Sequence, residues 1–128
     1  MTLIGYSLAG LIAVGIIFIG ARFLWAPTAA AEGFGIPNSP APSTGFAAWL
    51  AVKGTRDIVC GLFVFLLMAN GSPRLLGEFL LVASLIALGD AATVLRSGGS
   101  KAAAFGIHAL TALVIIAVGA SLIGTANG

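Results

Sequence analysis

Residues 46–69 read FAAWLAVKGTRDIVCGLFVFLLMA, and this stretch decides the fold. Its length and its apolar ends suit a membrane-spanning helix, since about 20 apolar residues cross a bilayer. Its middle breaks the pattern with Lys53, Arg56 and Asp57. A charge in hydrocarbon costs about 2.5 to 3.5 kcal/mol on insertion scales, so three on adjoining turns require partners, a wet cavity or a function. The stretch therefore predicts a spanning helix that carries part of a site.

Working outward, the composition points the same way: of 128 residues, 59% are hydrophobic and only 8% charged. Four apolar segments, at about 3–24, 46–69, 75–95 and 102–124, each have the length of a transmembrane helix. With short connections they predict an all-α fold, a four-transmembrane-helix up-and-down bundle forming a single integral membrane domain over residues 1–128. The first segment has no Lys or Arg before it and is followed by Arg22, so it is expected to stay in the mature protein. The lipid bilayer is the first partner implied.

Arg22, Arg96 and Lys101 flank the first and third connections, whereas only Arg74 lies beside the second. Basic residues are retained in the cytoplasm, which predicts both termini outside and, for a bacterium, an inner-membrane location. The formal net charge of +2 comes with no basic stripe, so no nucleic-acid partner is expected.

Depth ties the polar residues together. Counted from the cytoplasmic boundary at the helical rise, Lys53 lies about 6 Å in, Asp57 about 12 Å, Asp90 about 8 Å and His108 about 9 Å, with Arg22 near the edge. Four antiparallel helices thus offer polar groups at one level. Lys53, Arg56, Asp57 and Cys60 are spaced to share one helix face. The expected result is a cavity ringed by Arg22, Lys53, Arg56, Asp57, Asp90 and His108, with Arg22, Lys53 and Arg56 as ligand-binding cations and Asp57, Asp90 and His108 as candidate catalytic groups. Structural alternatives stand beside this reading: Arg22 as a snorkelling topology determinant, Lys53–Asp57 as a plain i, i+4 pair, Arg56–Asp90 as a bridge between helices, His108 as a hydrogen-bonded packing residue. Arg74 and Glu78, at the opposite boundary, read as an interfacial pair.

The first connection, residues 25–45, holds four of the five prolines, at Pro27, Pro37, Pro40 and Pro42. One helical turn is expected over Ala29 to Glu32, stopped by Gly33, with Phe34 and Ile36 either at the headgroups or folded over the bundle mouth. A lid and a plain connector are both open readings of this loop. Trp25 and Trp49 suit interfacial anchoring at one membrane face. Ala83, Ala87 and Ala91, and Ala120 with Gly124, place small residues four apart for close helix contact, within the bundle or in a homo-oligomer.

Cofactor signals are weak, and no cofactor is identified. Cys60 is the single cysteine and reads as a small buried hydrophobe. A metal at His108 with Asp57 and Asp90 would be repelled by Lys53 and Arg56, so no metal site is expected. Gly33-Phe34-Gly35 lacks the third glycine and the strand of a nucleotide fingerprint.

The order Gly20-Ala21-Arg22-Phe23-Leu24 with Pro27, Phe34-Gly35-Ile36-Pro37, Lys53-Gly54-x-Arg56-Asp57, Gly89-Asp90, Leu95-Arg96, Gly98-Gly99-Ser100-Lys101-Ala102 and His108 resembles a family of small four-helix bacterial and fungal membrane proteins known only as a domain of unknown function. The resemblance covers nearly the whole chain. It implies fold and membrane location and carries over no reaction and no site residue.

Two functional classes follow from the polar level. One is a membrane-embedded enzyme or binding protein for a lipophilic small molecule with a polar or anionic group. The other is a small homodimeric proton-coupled transporter in which Asp57 or Asp90 exchanges protons for cargo. An accessory subunit whose charges only join helices is a third, and it requires an occluded interior.

Overall fold

A computed structural model describes residues 2–128, all of whose regular elements are helices. These are α1 (Thr2–Trp25), α2 (Pro27–Phe34), α3 (Thr44–Asn70), α4 (Pro73–Arg96) and α5 (Lys101–Ala126). Local chemistry sets each boundary. The Ser43, Ser72 and Ser100 hydroxyls cap α3, α4 and α5 by accepting from the backbone N–H of Phe46 (3.1 Å), Leu75 (3.2 Å) and Ala103 (3.1 Å). Pro73 fits the first turn of α4, where its missing N–H costs nothing. Gly71, at φ 79°, ends α3 in the left-handed conformation.

Helix α2 is longer than the single turn expected from the sequence. Gly33 lies inside it, and the stop is Gly35 at φ 100°. The physical reason is local: Gly33 is exposed and tolerated within a helix, whereas Gly35 takes the left-handed cap that other residues resist.

Three helices, α1, α4 and α5, are long and apolar enough to cross a membrane. The 27-residue α3 is longer still but carries Lys53, Arg56 and Asp57. The outward surface is apolar, with Leu11, Val82 and Leu113 each more than 60% exposed, as lipid contact requires. Trp25 and Trp49 are also exposed.

The long helices associate in antiparallel pairs. Helix α1 crosses α3 where Gly20 faces Gly54, so closely that a methyl group on Gly20 would sit 2.6 Å from the Gly54 carbonyl oxygen. Helix α4 crosses α5 in the same way, Gly77 against Gly119, where a methyl on Gly77 would sit 2.6 Å from the Gly119 carbonyl oxygen. Backbones meet here because lipid supplies no hydrophobic drive between helices, leaving close van der Waals packing to do so. On α5 Gly119 makes the contact within the bundle, while Ala120 and Gly124 are exposed, so of the two readings of that pair the one within the bundle is not met. On α4, Ala87 and Ala91 are buried as expected.

A dry core occupies one level of the molecule, built by Ala9, Ala13, Val64, Leu76, Leu80, Ile115, Val118 and Leu122. These come early in α1 and α4 and late in α3 and α5. The opposite level, late in α1 and α4 and early in α3 and α5, is not filled this way and contains the site.

Candidate functional site

A cavity of about 270 Å³ lies at that second level. Its wall is mostly apolar, with Ile16, Phe23, Ala87 and Ile115 among its residues, and Arg22, Lys53, Asp57, Asp90 and His108 interrupt it. Five of the six site residues expected from the sequence therefore come together, from four long helices. Arg56 does not join them. It is exposed on the outer side of α3 and lines a separate groove, because the 100° helical step turns it off the face that Lys53 and Asp57 share.

Lys53 is the best-tethered cation. Its Nζ donates to Asp57 Oδ2 at 2.6 Å, one turn along α3. The same ammonium stands 4.7 Å from the Phe23 ring centroid and 5.2 Å from that of Phe34, within cation–π range of both. Asp57 is thereby neutralised within its own helix. Asp90 is different: among the described residues its carboxylate makes no ion pair and no hydrogen bond, although it faces the cavity. Arg22 likewise lines the cavity without an ion pair among the described residues. The Arg56–Asp90 bridge considered from the sequence is not formed.

His108 is buried, and its Nε2–H donates to the Phe34 carbonyl at 2.7 Å. Since a carbonyl only accepts, this bond places a proton on Nε2 and leaves Nδ1 free of that contact. The Phe34 oxygen is the last carbonyl of α2, an orphan of the helix end that needs a donor. The two rings also pack, centroids 4.4 Å apart. His108 sits in a π-helical turn, Ala104–Ala109, that inserts an extra residue into the first part of α5. Such turns re-aim side chains and occur often at functional sites. Thr111, a cavity residue, donates its hydroxyl to the Ile107 carbonyl at 2.6 Å.

Helix α2 roofs the cavity. Ala30, Gly33 and Phe34 line it from above, and Ala30 and Ala31 are buried. The roof is fixed at its end: a methyl group on Gly35 would lie 2.7 Å from the Ala103 Cβ, and one on Gly99 would lie 2.5 Å from the Gly35 carbonyl oxygen. Helix α2 thus lies over the cavity, with Phe34 at its end among the lining residues. Phe34 lines the cavity, as its reading as a residue folded over the bundle mouth allows, whereas Phe23 is a cavity residue that charge-based reasoning missed. Among the described residues, no three of His, Cys, Asp and Glu are grouped closely enough to hold a metal ion.

Fold and site define a small all-α protein with membrane-type helices and a mostly apolar cavity, interrupted by charged groups, under a short helix. The chain belongs to the family described as Domain of unknown function (DUF4267), which matches residues 13–122 and so includes every cavity residue. The family resemblance drawn from the Lys-Gly-x-Arg-Asp element is thereby established. No curated protein and no solved structure matches the chain.

Proposed function

We propose that the protein is a four-span bundle, with α1, α3, α4 and α5 all crossing the bilayer, and that its cavity binds a lipophilic small molecule through a polar or anionic group. In this reading the cavity lies near the cytoplasmic face of a bacterial inner membrane, with both termini outside, as the basic residues beside the first and third connections favour. The charges of α3 are compatible with a span: Lys53 and Asp57 neutralise each other inside the protein, and Arg56, about 10 Å in by the helical rise, extends a long side chain toward the headgroups.

One observation carries the proposal: titratable groups from four helices converge on a single, mostly apolar cavity. An apolar pocket with a few convergent polar groups is the usual form of a small-molecule site. Arg22, with Lys53 beside it, would hold an anionic group. The unpaired Asp90 carboxylate, with Asp57 and the Nδ1 of His108, would carry protons if the bound molecule reacts, as in an isomerisation, cyclisation or hydrolysis.

The test is native mass spectrometry of protein purified in a mild detergent, beside Asp57→Asn, Asp90→Asn and His108→Ala. A co-purifying small molecule is expected on the wild type and is expected to be lost or diminished in the variants. Retention in all three folded variants would overturn the proposal. An accessory subunit needs a filled interior, against which the cavity counts. A transporter must open to both faces in turn, and the dry core across the other half of the bundle counts against that route.

A further inference from the structure

The cavity is open along part of its wall, and the exposure of its lining residues shows where. Helix α2 covers one end, with Ala30 and Ala31 buried and the Gly35 backbone set against Gly99. Toward α3 and α4, the half-buried Cys60 and Ala83 line both the cavity and an outer groove, and so form a wall between them. The side between α1 and α5 differs. Helix α1 packs on the later part of α5, Leu110–Ala126, and at most grazes the π-helical turn before it. At that level Ile19 of α1 and Ile107 of α5 line the cavity while being 52% and 49% exposed, and Thr111, one turn beyond Ile107, is a lining residue that is exposed as well. Cavity residues that also face outward, on two helices that separate there, frame a window.

Depth and chemistry decide what passes through it. Counted from the boundary at the helical rise, Ile19 lies about 8 Å deep and Thr111 about 13 Å, within a hydrocarbon half-layer of about 15 Å. The window thus faces acyl chains. Its rim offers no free hydrogen-bond donor, because the Thr111 hydroxyl is engaged by the Ile107 carbonyl at 2.6 Å. We infer that the cavity is filled from the bilayer core through this window, and that its ligand is a compact membrane-dissolved compound such as a two-ring phenol or ketone. Volume sets the size: an apolar cavity of about 150 Å³ holds one benzene, so one of about 270 Å³ holds about a dozen non-hydrogen atoms. A whole phospholipid does not fit. The inference rests on the membrane-bound, ligand-binding reading above and adds the ligand's size and the phase it comes from.

The test uses Ala87→Cys in a Cys60→Ser background, with the full chain in phosphatidylcholine nanodiscs. Ala87 is buried and lines the cavity but not the outer groove, so a thiol there reports entry. N-phenylmaleimide, a bilayer-soluble reagent of the proposed size, is expected to modify it. A charged, water-soluble methanethiosulfonate should react with Ser39→Cys yet spare Ala87→Cys. The bulkier N-pyrenylmaleimide should react with Leu113→Cys on the lipid-facing surface and spare it too. Ile19→Trp and Ile107→Trp, which narrow the window, should each slow the phenyl reagent about tenfold, as a barrier higher by about 1.4 kcal/mol does. Ile19→Ala with Ile107→Ala should hasten it, and this pair decides the matter if the tryptophan variants do not fold. Gly33→Trp on α2 and Ile86→Trp toward the groove should leave the rate unchanged. The same cysteine reports in every variant, so its intrinsic reactivity cancels.

Faster reaction with the charged reagent than with the phenyl one would overturn the proposal, as would slowing by Gly33→Trp or Ile86→Trp in place of the window variants. A rate that the alanine pair leaves unchanged, or equal modification by the pyrenyl reagent, would do the same. The two readings fail separately. Entry through the window with no small molecule on the purified protein sinks the ligand-binding reading alone. A co-purified ligand lost in Asp90→Asn, with entry indifferent to Ile19 and Ile107, sinks the window alone.

Discussion

At the scale of single residues, the hydrogen bond between His108 and the Phe34 carbonyl joins the lid to the body of the molecule. Removing the donor leaves a carbonyl at the helix end without its partner, a loss of about 1 to 3 kcal/mol. His108→Ala should therefore lower the Tm in detergent and speed amide exchange in α2, while exchange along the dry core changes little. Gly35 makes a sharper test because its neighbour Gly33 is a control. Gly35→Ala meets both a positive φ and the Ala103 side chain, whereas Gly33→Ala meets nothing within 4 Å. The first should destabilise the lid, and the second should be neutral or slightly stabilising, since alanine favours a helix over glycine. Equal thermal shifts for the two would remove the lid from its assigned place. This contact was hidden in the sequence for a physical reason: a backbone carbonyl has no letter of its own. His108 was legible as a polar residue at a shared depth, but its partner lies 74 positions away.

At the scale of elements, span limits read from hydropathy agree with the helices to within about two residues, because caps and prolines punctuate the ends. Which residues of a span face inward was less legible. A soluble helix announces its buried face by a polar opposite face; here both faces are apolar, so the usual contrast is missing. That is why Arg56 was grouped with Lys53. The close crossings predict a simple asymmetry among glycines. Gly54→Leu and Gly77→Leu should separate their helix pairs and lower the Tm markedly, since backbone oxygens of the facing helix occupy the space a side chain needs. Gly89→Ala and Gly106→Ala, with open space around them, should fold as well as the wild type. Thermal unfolding of the four variants in one detergent decides the matter, and a loss at Gly89 as large as at Gly54 would refute the crossing geometry.

At the scale of the whole molecule, the chain is two-ended, with close packing at the level of Leu76 and Leu122 and, beneath α2, an unfilled level that carries the charged groups. This division was legible because antiparallel helices must place polar residues late in one and early in the next to meet at one depth, and the sequence does so four times. The cavity's size and roof were not, since they depend on how far the helices splay. The same alternation yields a topological prediction. With all four long helices spanning, the α1–α3 and α4–α5 connections share one side, and the α3–α4 turn shares the other with the C-terminus. In a Cys60→Ser background, Asn70→Cys and Asn127→Cys should react with an impermeant maleimide applied to intact spheroplasts. Ser39→Cys and Ser97→Cys should react only after permeabilisation. If α3 instead lay along the surface, Ser39→Cys and Asn70→Cys would label from the same side. The charges at Lys53, Arg56 and Asp57 would then be wetted by solvent, and the cavity would not be needed to hold ions. The labelling pattern thus tests the span and the origin of the site together, because α3 can cross only if its ions are satisfied inside the protein or at its boundary.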